Sequence, residues 1–276
     1  MPQRPIITLT TDFGTADSFV GTMKGVILDI VPEAEIVDIT HSVQAFDVLD
    51  GALAIAQAYS YFPNGTVHVV VVDPGVGTDR RPILASSDGY HFVAPDNGVL
   101  SMVYAREERV HVRHISSDHY FRQPVSNTFH GRDIFAPVAA WLAKAVDSHK
   151  FGEEISDYVR FAAPKPKAVE KTRMRAVVLK VDRFGNLITN ITPADAPMLF
   201  SATPAAFKIT VGTREITEIQ KTYAEGAPGE VFGILGSMGY LEIAANRAAA
   251  AQITGAGKGS EVSILLGEAA AAGKGA

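Results

Sequence analysis

The stretch Val69-Val70-Val71-Val72-Asp73-Pro74-Gly75-Val76-Gly77-Thr78-Asp79-Arg80 decides how this chain folds. Four β-branched residues in a row, with no polar alternation, form the pattern of a strand buried on both faces of a parallel sheet. Pro74 ends the strand, because it has no N–H to give to a central ladder. Gly75 and Gly77 let the backbone approach whatever lies beyond the strand's carboxyl end, which is where open α/β sheets bind ligands. Asp73 and Arg80 therefore bracket a glycine-lined crevice. The same residues also fit an ordinary turn carrying a surface ion pair. No phosphate-binding loop fits: no Gly-Lys-Ser/Thr follows, and the sixth residue of GVGTDR is Arg80 where G-x-G-x-x-G needs glycine.

Toward the amino terminus, Ile6 to Thr10 reads as a first buried strand ending in Thr11-Asp12-Phe13-Gly14. Asp12 at a strand's carboxyl end could accept two hydrogen bonds from a sugar diol, or cap a helix. Phe19, Met23, Val26, Ile27 and Ile30 give a helical core face that Pro32 stops. A strand at Glu35 to Ile39, a loop carrying Phe46 and a helix over Val48 to Tyr61 precede the valine strand. Phe46 could stack on a base or simply pack. This strand–helix alternation predicts a mainly parallel, doubly wound sheet.

Downstream come a hairpin-like pair (Ile83 to Ser87, Tyr90 to Ala94), a helix over Val99 to Ala105 and a strand over Val110 to Ile115. His111, His114 and His119 invite a metal reading. However, strand positions three apart point to opposite faces, so no metal site is expected. Ser126 to Asp133 leads into an apolar helix over Ile134 to Ala145. His130 stands at that helix's amino terminus, where the dipole favours a neutral imidazole, and is a candidate base. Arg132 and Asp133 are expected to cap the helix or pair with each other.

At Ala162 to Lys171 the composition turns to a stiff, basic Ala-Ala-Pro-Lys-Pro-Lys linker. Short strands with Gly and Pro turns follow, one of them over Glu215 to Gln220, as in a small all-β barrel or sandwich. The expected organisation is an α/β domain over 1–165, a β-barrel domain over 170–267 and a flexible tail over 268–276. Ala244 to Ala251 reads as a helical turn. Asp182-Arg183-Phe184-Gly185-Asn186 places a carboxylate, an aromatic and an amide at the end of a strand, and Gly236-Ser237-Met238-Gly239-Tyr240 is a glycine turn.

Bulk composition narrows the classes. A 276-residue chain with 47% hydrophobic and 20% charged residues is that of a globular protein with ample core. A net charge of −5 argues against nucleic acid or an anionic membrane as partner. With no cysteine, thiolate catalysis and cysteine zinc sites are excluded. No apolar run reaches membrane-spanning length and no signal peptide is evident, so the cytoplasm is the expected location.

Six motifs then run in order: TTDFG at 10–14, VDPGVGTDR at 72–80, APDNG at 94–98, TFHGRD at 128–133, VDRFGN at 181–186 and GSMGYLEIA at 236–244. Together they resemble the S-adenosyl-L-methionine hydroxide adenosyltransferases (SAM hydrolases), relatives of the fluorinase and chlorinase, over residues 5 to 266. The resemblance implies an amino-terminal α/β domain with a seven-stranded sheet and a carboxyl-terminal β-barrel. It also implies homotrimers with active sites between subunits.

By that resemblance Asp12 would take the ribose hydroxyls and Phe46 would line the sugar and adenine pocket. Asp182 and Ser237 would hold the methionine ammonium and carboxylate, with Phe184 beside them. Asn186 and the backbone near Arg247 would read adenine. The halogenases carry Arg where this chain has Met238, so the carboxylate must be held differently. The fluorinase has Tyr at the Asp73 position and Tyr-Ser at His130-Gly131, and its insertion ahead of APDNG is missing here. Asp73, Arg80 and His130 match the hydrolase branch.

The expected reaction is attack of an activated water at ribose C5′, giving adenosine and L-methionine without metal or cofactor. In it an Asp73–His130 pair would draw off the proton while Arg80 stabilises the hydroxide-like oxygen. The alternatives are a halide-using enzyme, a non-catalytic sensor of the nucleoside sulfonium or adenosine, and a metal-dependent hydrolase built on His111 to His119.

Overall fold

The computed structural model describes residues 4–201 and 206–267; the tail expected over 268–276 lies outside them. The chain divides into two compact units, Met1–Ala163 and Pro164–Ala276.

The first unit holds strands β1 (Ile6–Thr11), β2 (Glu35–Thr40), β3 (Val67–Val71), β4 (Pro82–Ser86), β5 (His91–Pro95), β6 (His111–His114) and β7 (Glu154–Ile155). Its helices are α1 (Phe19–Ile30), α2 (Val48–Ala58), α3 (Ser101–Tyr104) and α4 (Ala136–Ala143). The seven strands form one sheet in the order β2-β1-β3-β5-β4-β6-β7. As the run of valines requires, β3 is central and every residue in it is buried. Val69 and Val71 pack into the core formed with α1 and α4. On the other face Val72 meets Gly51 of α2. Each fully buried valine contributes about 1.5–3 kcal/mol, which secures the strand between two helical layers.

The expectation of a mainly parallel sheet is corrected. β2, β1, β3 and β5 pair in parallel, whereas β5, β4, β6 and β7 pair antiparallel. The cause is local: residues 87–90 close β4 onto β5 as a hairpin, and a connection that short can only give antiparallel neighbours. Several helices are shorter than their patterns suggest. α2 gives way to a 3₁₀ turn at Tyr59–Tyr61, and Phe19 is 44% exposed instead of entering the core. Phe19 clusters with Phe13 and Phe129, its ring edge-on to Phe129 and tilted against Phe13. The helix expected from Ile134 begins earlier, as a π turn at Gly131–Phe135.

The second unit holds β8 (Lys167–Glu170), β9 (Arg173–Val181), β10 (Leu187–Thr189), β11 (Phe207–Val211), β12 (Arg214–Ile216), β13 (Ile219–Gln220), β14 (Val231–Leu235), β15 (Leu241–Ala245), β16 (Glu261–Leu266) and the short helix α5 (Ala250–Thr254). They form one curled sheet, β12-β11-β16-β9-β10-β15-β14-β13, with β8 beside β9. Its two ends, β12 and β13, are not paired, so the sheet is a half-barrel and not a closed barrel. Two segments depart from the sequence reading. The linker is in part an edge strand, because Lys167–Glu170 pairs with β9. The single strand expected over 215–220 is split between the two ends of the sheet. Ala244 and Ala245 complete β15, and the helical turn comes later, at α5. No helix of the described residues is long and apolar enough to cross a membrane.

Candidate active site

Beyond the carboxyl end of β3 the chain turns tightly: Asp73 O accepts from Val76 N, and Gly75 O accepts from Thr78 N and from the Thr78 hydroxyl. This arch brings Arg80 back onto Asp73. Arg80 Nε lies 2.9 and 3.0 Å from the two carboxylate oxygens, and Nη2 also donates to Oδ2. The two side chains are only 9% and 4% exposed. A buried, forked ion pair of this kind is directional, and losing either partner strands the other charge.

Gly77 explains how a third residue joins them. Its φ is +76°, and a Cβ on it would strike the carbonyl oxygen of Asn127. Only glycine allows the 73–80 arch to lie against the 126–130 loop. That loop is held in turn by Asp133, whose fully buried carboxylate pairs with Arg132 and accepts Ser126 N at 2.8 Å. Burial pushes the Asp133 pKa up, but Arg132 and the Ser126 amide outweigh it and hold it below the usual value. Arg132 and Asp133 thus pair with each other, as expected, and close the loop.

His130 Nδ1 then lies 2.6 Å from Arg80 Nη2. A guanidinium has no acceptor, so Nδ1 must carry the lone pair and the imidazole proton sits on Nε2. Burial lowers the His130 pKa, and the Arg80 charge lowers it further; Asp73 and Asp133 offset this only in part. Both lines of reasoning give a neutral imidazole. The order in space is carboxylate, guanidinium, imidazole. Asp73 therefore does not pair with His130 directly, which corrects the pairing expected from sequence: Arg80 stands between them. Arg80 Nη1 is buried with no hydrogen-bond partner, and the guanidinium lies 5.3 Å from the Phe135 ring centroid.

Asp12 follows β1 at the same end of the sheet. Its Oδ2 accepts Phe46 N at 2.8 Å. Phe46 has φ +66° and is 73% exposed. A positive φ costs a bulky residue about 1–3 kcal/mol, so the Asp12 contact holds an aromatic ring outward against backbone strain. Thr11 Oγ1 and His41 Nδ1, 2.9 Å apart, tie the same loop to the end of β1. An open cleft of about 540 Å³ nearby is lined by Thr15, Asp17, Ser18, Lys24, Asp38 and His41, among others.

In the second unit Asp182 is committed to its own turn. Oδ1 accepts Phe184 N and Asn186 N, and Oδ2 accepts the Asn186 amide at 2.9 Å. Phe184 is 78% exposed and Asn186 is buried. Gly185, with φ +84°, sits against Ala249 two residues beyond the exposed Arg247. Ser237 is exposed and Met238 half-buried on the turn between β14 and β15. Asp182, Phe184 and Asn186 come together, while Ser237 and Met238 occupy a separate turn of the same unit.

His111 pairs with Glu154, and among the described residues no group of three potential ligands could hold a metal. Sequence reasoning missed Asn97, whose amide donates to Val72 O at 2.8 Å and fixes the end of β3. The APDNG motif signalled it without revealing its partner. It also missed Glu242, buried beside Tyr223; a lone charge inside the apolar Leu241-Glu242-Ile243-Ala244 run was the available signal.

The fold and site thus define a two-unit α/β protein with a linear carboxylate–guanidinium–imidazole chain at the end of its central strand. Residues 7–152 match the model of the SAM hydroxide adenosyltransferase N-terminal domain, and residues 176–263 match that of the C-terminal domain. The chain belongs to the SAM hydroxide adenosyltransferase family. It is 37% identical over 271 residues to the (R)-S-adenosyl-L-methionine hydrolase of Salinispora tropica, covering 97% of this chain and all of that one. A hydrolase of the same name from Methanocaldococcus jannaschii is 40% identical over 191 residues, 67% of this chain and 66% of that protein. The fluorinase of Nocardia brasiliensis is 30% identical over 294 residues, 96% of this chain and 98% of that protein. Among solved structures, an uncharacterized conserved protein from Thermotoga maritima superimposes with TM-score 0.87 at 37% identity, covering 94% of this chain and 99% of that one.

Proposed function

We propose that this protein hydrolyses S-adenosyl-L-methionine to adenosine and L-methionine. Water supplies the oxygen that bonds to ribose C5′, the C5′–S bond breaks with its electron pair going to sulfur, and one proton is released. The sulfonium makes a neutral thioether leaving group, so the enzyme's task is to present an oxygen nucleophile in line. Orientation and avoided reorganisation can supply up to about 7–11 kcal/mol of such a barrier.

The observation that carries this reading is the Asp73–Arg80–His130 chain. Asp73 fixes the guanidinium, leaving Arg80 Nη1 and His130 Nε2–H as donors that favour an anionic oxygen over a neutral one. The site is suited to holding hydroxide, with Asp73 as positioning group. Donors arranged in advance around a developing or resident negative charge are usually the largest catalytic contribution. The hydrolases among the relatives support water as nucleophile, and a dense set of donors suits hydroxide better than a bare halide.

For the substrate, Asp12 would take the ribose hydroxyls and Phe46 the nucleoside face. Asp182, Phe184, Asn186, Ser237, Met238 and the Arg247 backbone would receive the adenine and amino-acid ends. Neither metal nor cofactor is required by this scheme. The family resemblance supports a homotrimer with sites between subunits, which light scattering on a sizing column would test, and the cytoplasm is the proposed location.

Incubation with S-adenosyl-L-methionine, with and without excess chloride and with a chelator, followed by chromatography, tests the reaction. Adenosine and methionine should form regardless of either addition. A 5′-chloro product would transfer the protein to the halogenases, and tight binding without turnover would make it a sensor.

A further inference from the structure

The APDNG motif places two polar residues in succession, Asp96 and Asn97, just past the end of β5, and the reaction scheme uses neither. β5 lies between β3 and β4 in the sheet. The two residues therefore stand between the two ends of the arch that carries Asp73 and Arg80. Each of them holds one end.

At the first end, the last pair of the β3–β5 ladder is Val69 with Val93. Val72 lies beyond it, fully buried, and its carbonyl accepts the Asn97 side-chain amide at 2.8 Å. Asn97 Oδ1 accepts Val99 N at 3.1 Å. Both halves of that amide are thus committed to backbone, and Asp73 is the next residue along from Val72. At the second end, Asp96 N donates to Arg81 O at 2.8 Å. One oxygen of the buried Asp96 carboxylate accepts Arg81 Nε and Nη2 at 3.0 and 2.8 Å, and the other accepts Val159 N at 2.7 Å. Asp157 holds the same guanidinium through Oδ1 and through its carbonyl. Arg81 follows Arg80 directly.

The turns inside the arch fix its shape, while its two feet fix where it stands. Charge-assisted bonds such as those from Arg81 to Asp96 are about twice as strong as neutral ones. A reactive constellation must be held to within about 0.5 Å by such supporting contacts. Arg80 Nη2 and His130 Nδ1 lie 2.6 Å apart, so a displaced foot passes straight into that contact. We propose that Asp96 and Asn97 are positioning residues that clamp the two feet of the 73–80 arch and so set the Arg80 guanidinium against His130. Both act through Val72 and Arg81. The proposal rests on the Asp73–Arg80–His130 chain being the site that holds hydroxide.

The test compares wild type with Asn97→Ala, Asp96→Asn and a control, Thr66→Ala. The control removes a buried hydroxyl bond to Pro63 O just before β3, at the opposite end of that strand. Turnover of S-adenosyl-L-methionine and its calorimetric binding are measured. The histidine ring signals are titrated by NMR, with His130 assigned from the signal lost in His130→Gln. Burial and the Arg80 charge hold His130 below 6.5 against the opposing charges of Asp73 and Asp133, so its midpoint reports on the contact with Arg80. Each clamp variant should lose kcat by about 10- to 100-fold, the scale of a displacement approaching 1 Å. KM and Kd should stay within about 2-fold, as for a contact that serves the transition state alone. The His130 midpoint should rise toward 6.5. Thr66→Ala should melt lower, yet keep both kcat and the midpoint.

An unmoved His130 midpoint in a folded clamp variant, a KM that rises in step with the loss of kcat, or equal losses in Thr66→Ala would overturn the proposal. Asp96→Asn keeps the volume and an acceptor for Val159 N, so it decides the matter if Asn97→Ala does not fold. Loss of the fold in both would make the motif a structural support and overturn the proposal as well. Wild-type protein that does not cleave overturns the hydrolase reading alone, since the His130 titration still decides the clamp.

Discussion

Replacing Gly77 with alanine tests whether the meeting of two loops makes the site. Two effects add at this position. At φ +76° an alanine carries about 1–2 kcal/mol of left-handed strain. Its Cβ would also lie well under 3.0 Å from the Asn127 carbonyl oxygen, against an ordinary contact of 3.4–4 Å. The 73–80 arch and the 126–130 loop must then separate by roughly 1 Å, and displacements of that size cost on the order of 100-fold in rate. Gly65→Ala is the matched control, with φ +85° and nothing within 4 Å of the added carbon. Both variants should melt about 2–8 °C lower, since each kcal/mol is worth about 2–4 °C in a unit of this size. Only Gly77→Ala should lose kcat, by about 100-fold, because Arg80 Nη2 and His130 Nδ1 start at 2.6 Å and have no slack. The assay is initial-rate hydrolysis of S-adenosyl-L-methionine beside calorimetric melting. Equal kcat in the two alanine variants would refute the reasoning, since strain without loop separation would then account for everything.

Asp73→Asn leaves the Arg80 charge buried without its partner, and should cost about 3–5 kcal/mol in denaturant unfolding together with at least a 100-fold drop in turnover. His130 works as the neutral imidazole and its pKa is held below the ordinary 6.5, so kcat/KM should be level above neutrality and fall only in acid. In His130→Gln that acid limb should vanish from the pH–rate profile; its persistence would assign it to another group. His68, buried against Thr8 Oγ1 at 2.7 Å, is lowered by burial from 6.5 to about 3. A depressed histidine pKa means stability that is complete above 6.5 and lost as pH falls from there toward 3. At ~1.36 kcal/mol per tenfold the ceiling is about 5 kcal/mol, of which about 2 is gone at pH 5. Urea midpoints at pH 7 and pH 5 should therefore differ less in His68→Gln than in wild type, and an unchanged difference would remove His68 from the account.

Much of this could be read from residues whose local chemistry admits one answer. Four valines with apolar neighbours had to be a central strand, Pro74 had to end it, and His130 before a helix had to sit at a helix terminus. What escaped reading depended on partners distant in sequence. The antiparallel half of the first sheet follows from the hairpin at 87–90, which was legible as a hairpin, but its place between β5 and β6 was not. Nothing within residues 215–220 reveals that one short segment serves both ends of a curled sheet. The Asp73–Arg80 contact was suggested by spacing, whereas the insertion of Arg80 between Asp73 and His130 needs the close approach at Gly77, and no spacing encodes that. Glu242 is legible as a lone charge in an apolar run, but its partner Tyr223, 19 residues away, is not.

The change of strand direction at β5 has a consequence for how the site is assembled. Because β4 runs opposite to β3 and β5, it begins at the end of the sheet where β3 stops, with Pro82 opposite Pro95. Residues 72–81 therefore make a single span over the tip of β5, a gap of two strand spacings or about 10 Å. A parallel β4 would have required a crossover of a dozen or more residues and would have carried Arg80 to the opposite rim. The span's length is thus a ruler. It sets the reach of the guanidinium toward its carboxylate, and chain can be added freely only outside it. The hairpin at 87–90 lies at the opposite rim, so the chain could be cut and rejoined there while the same charges met at the other.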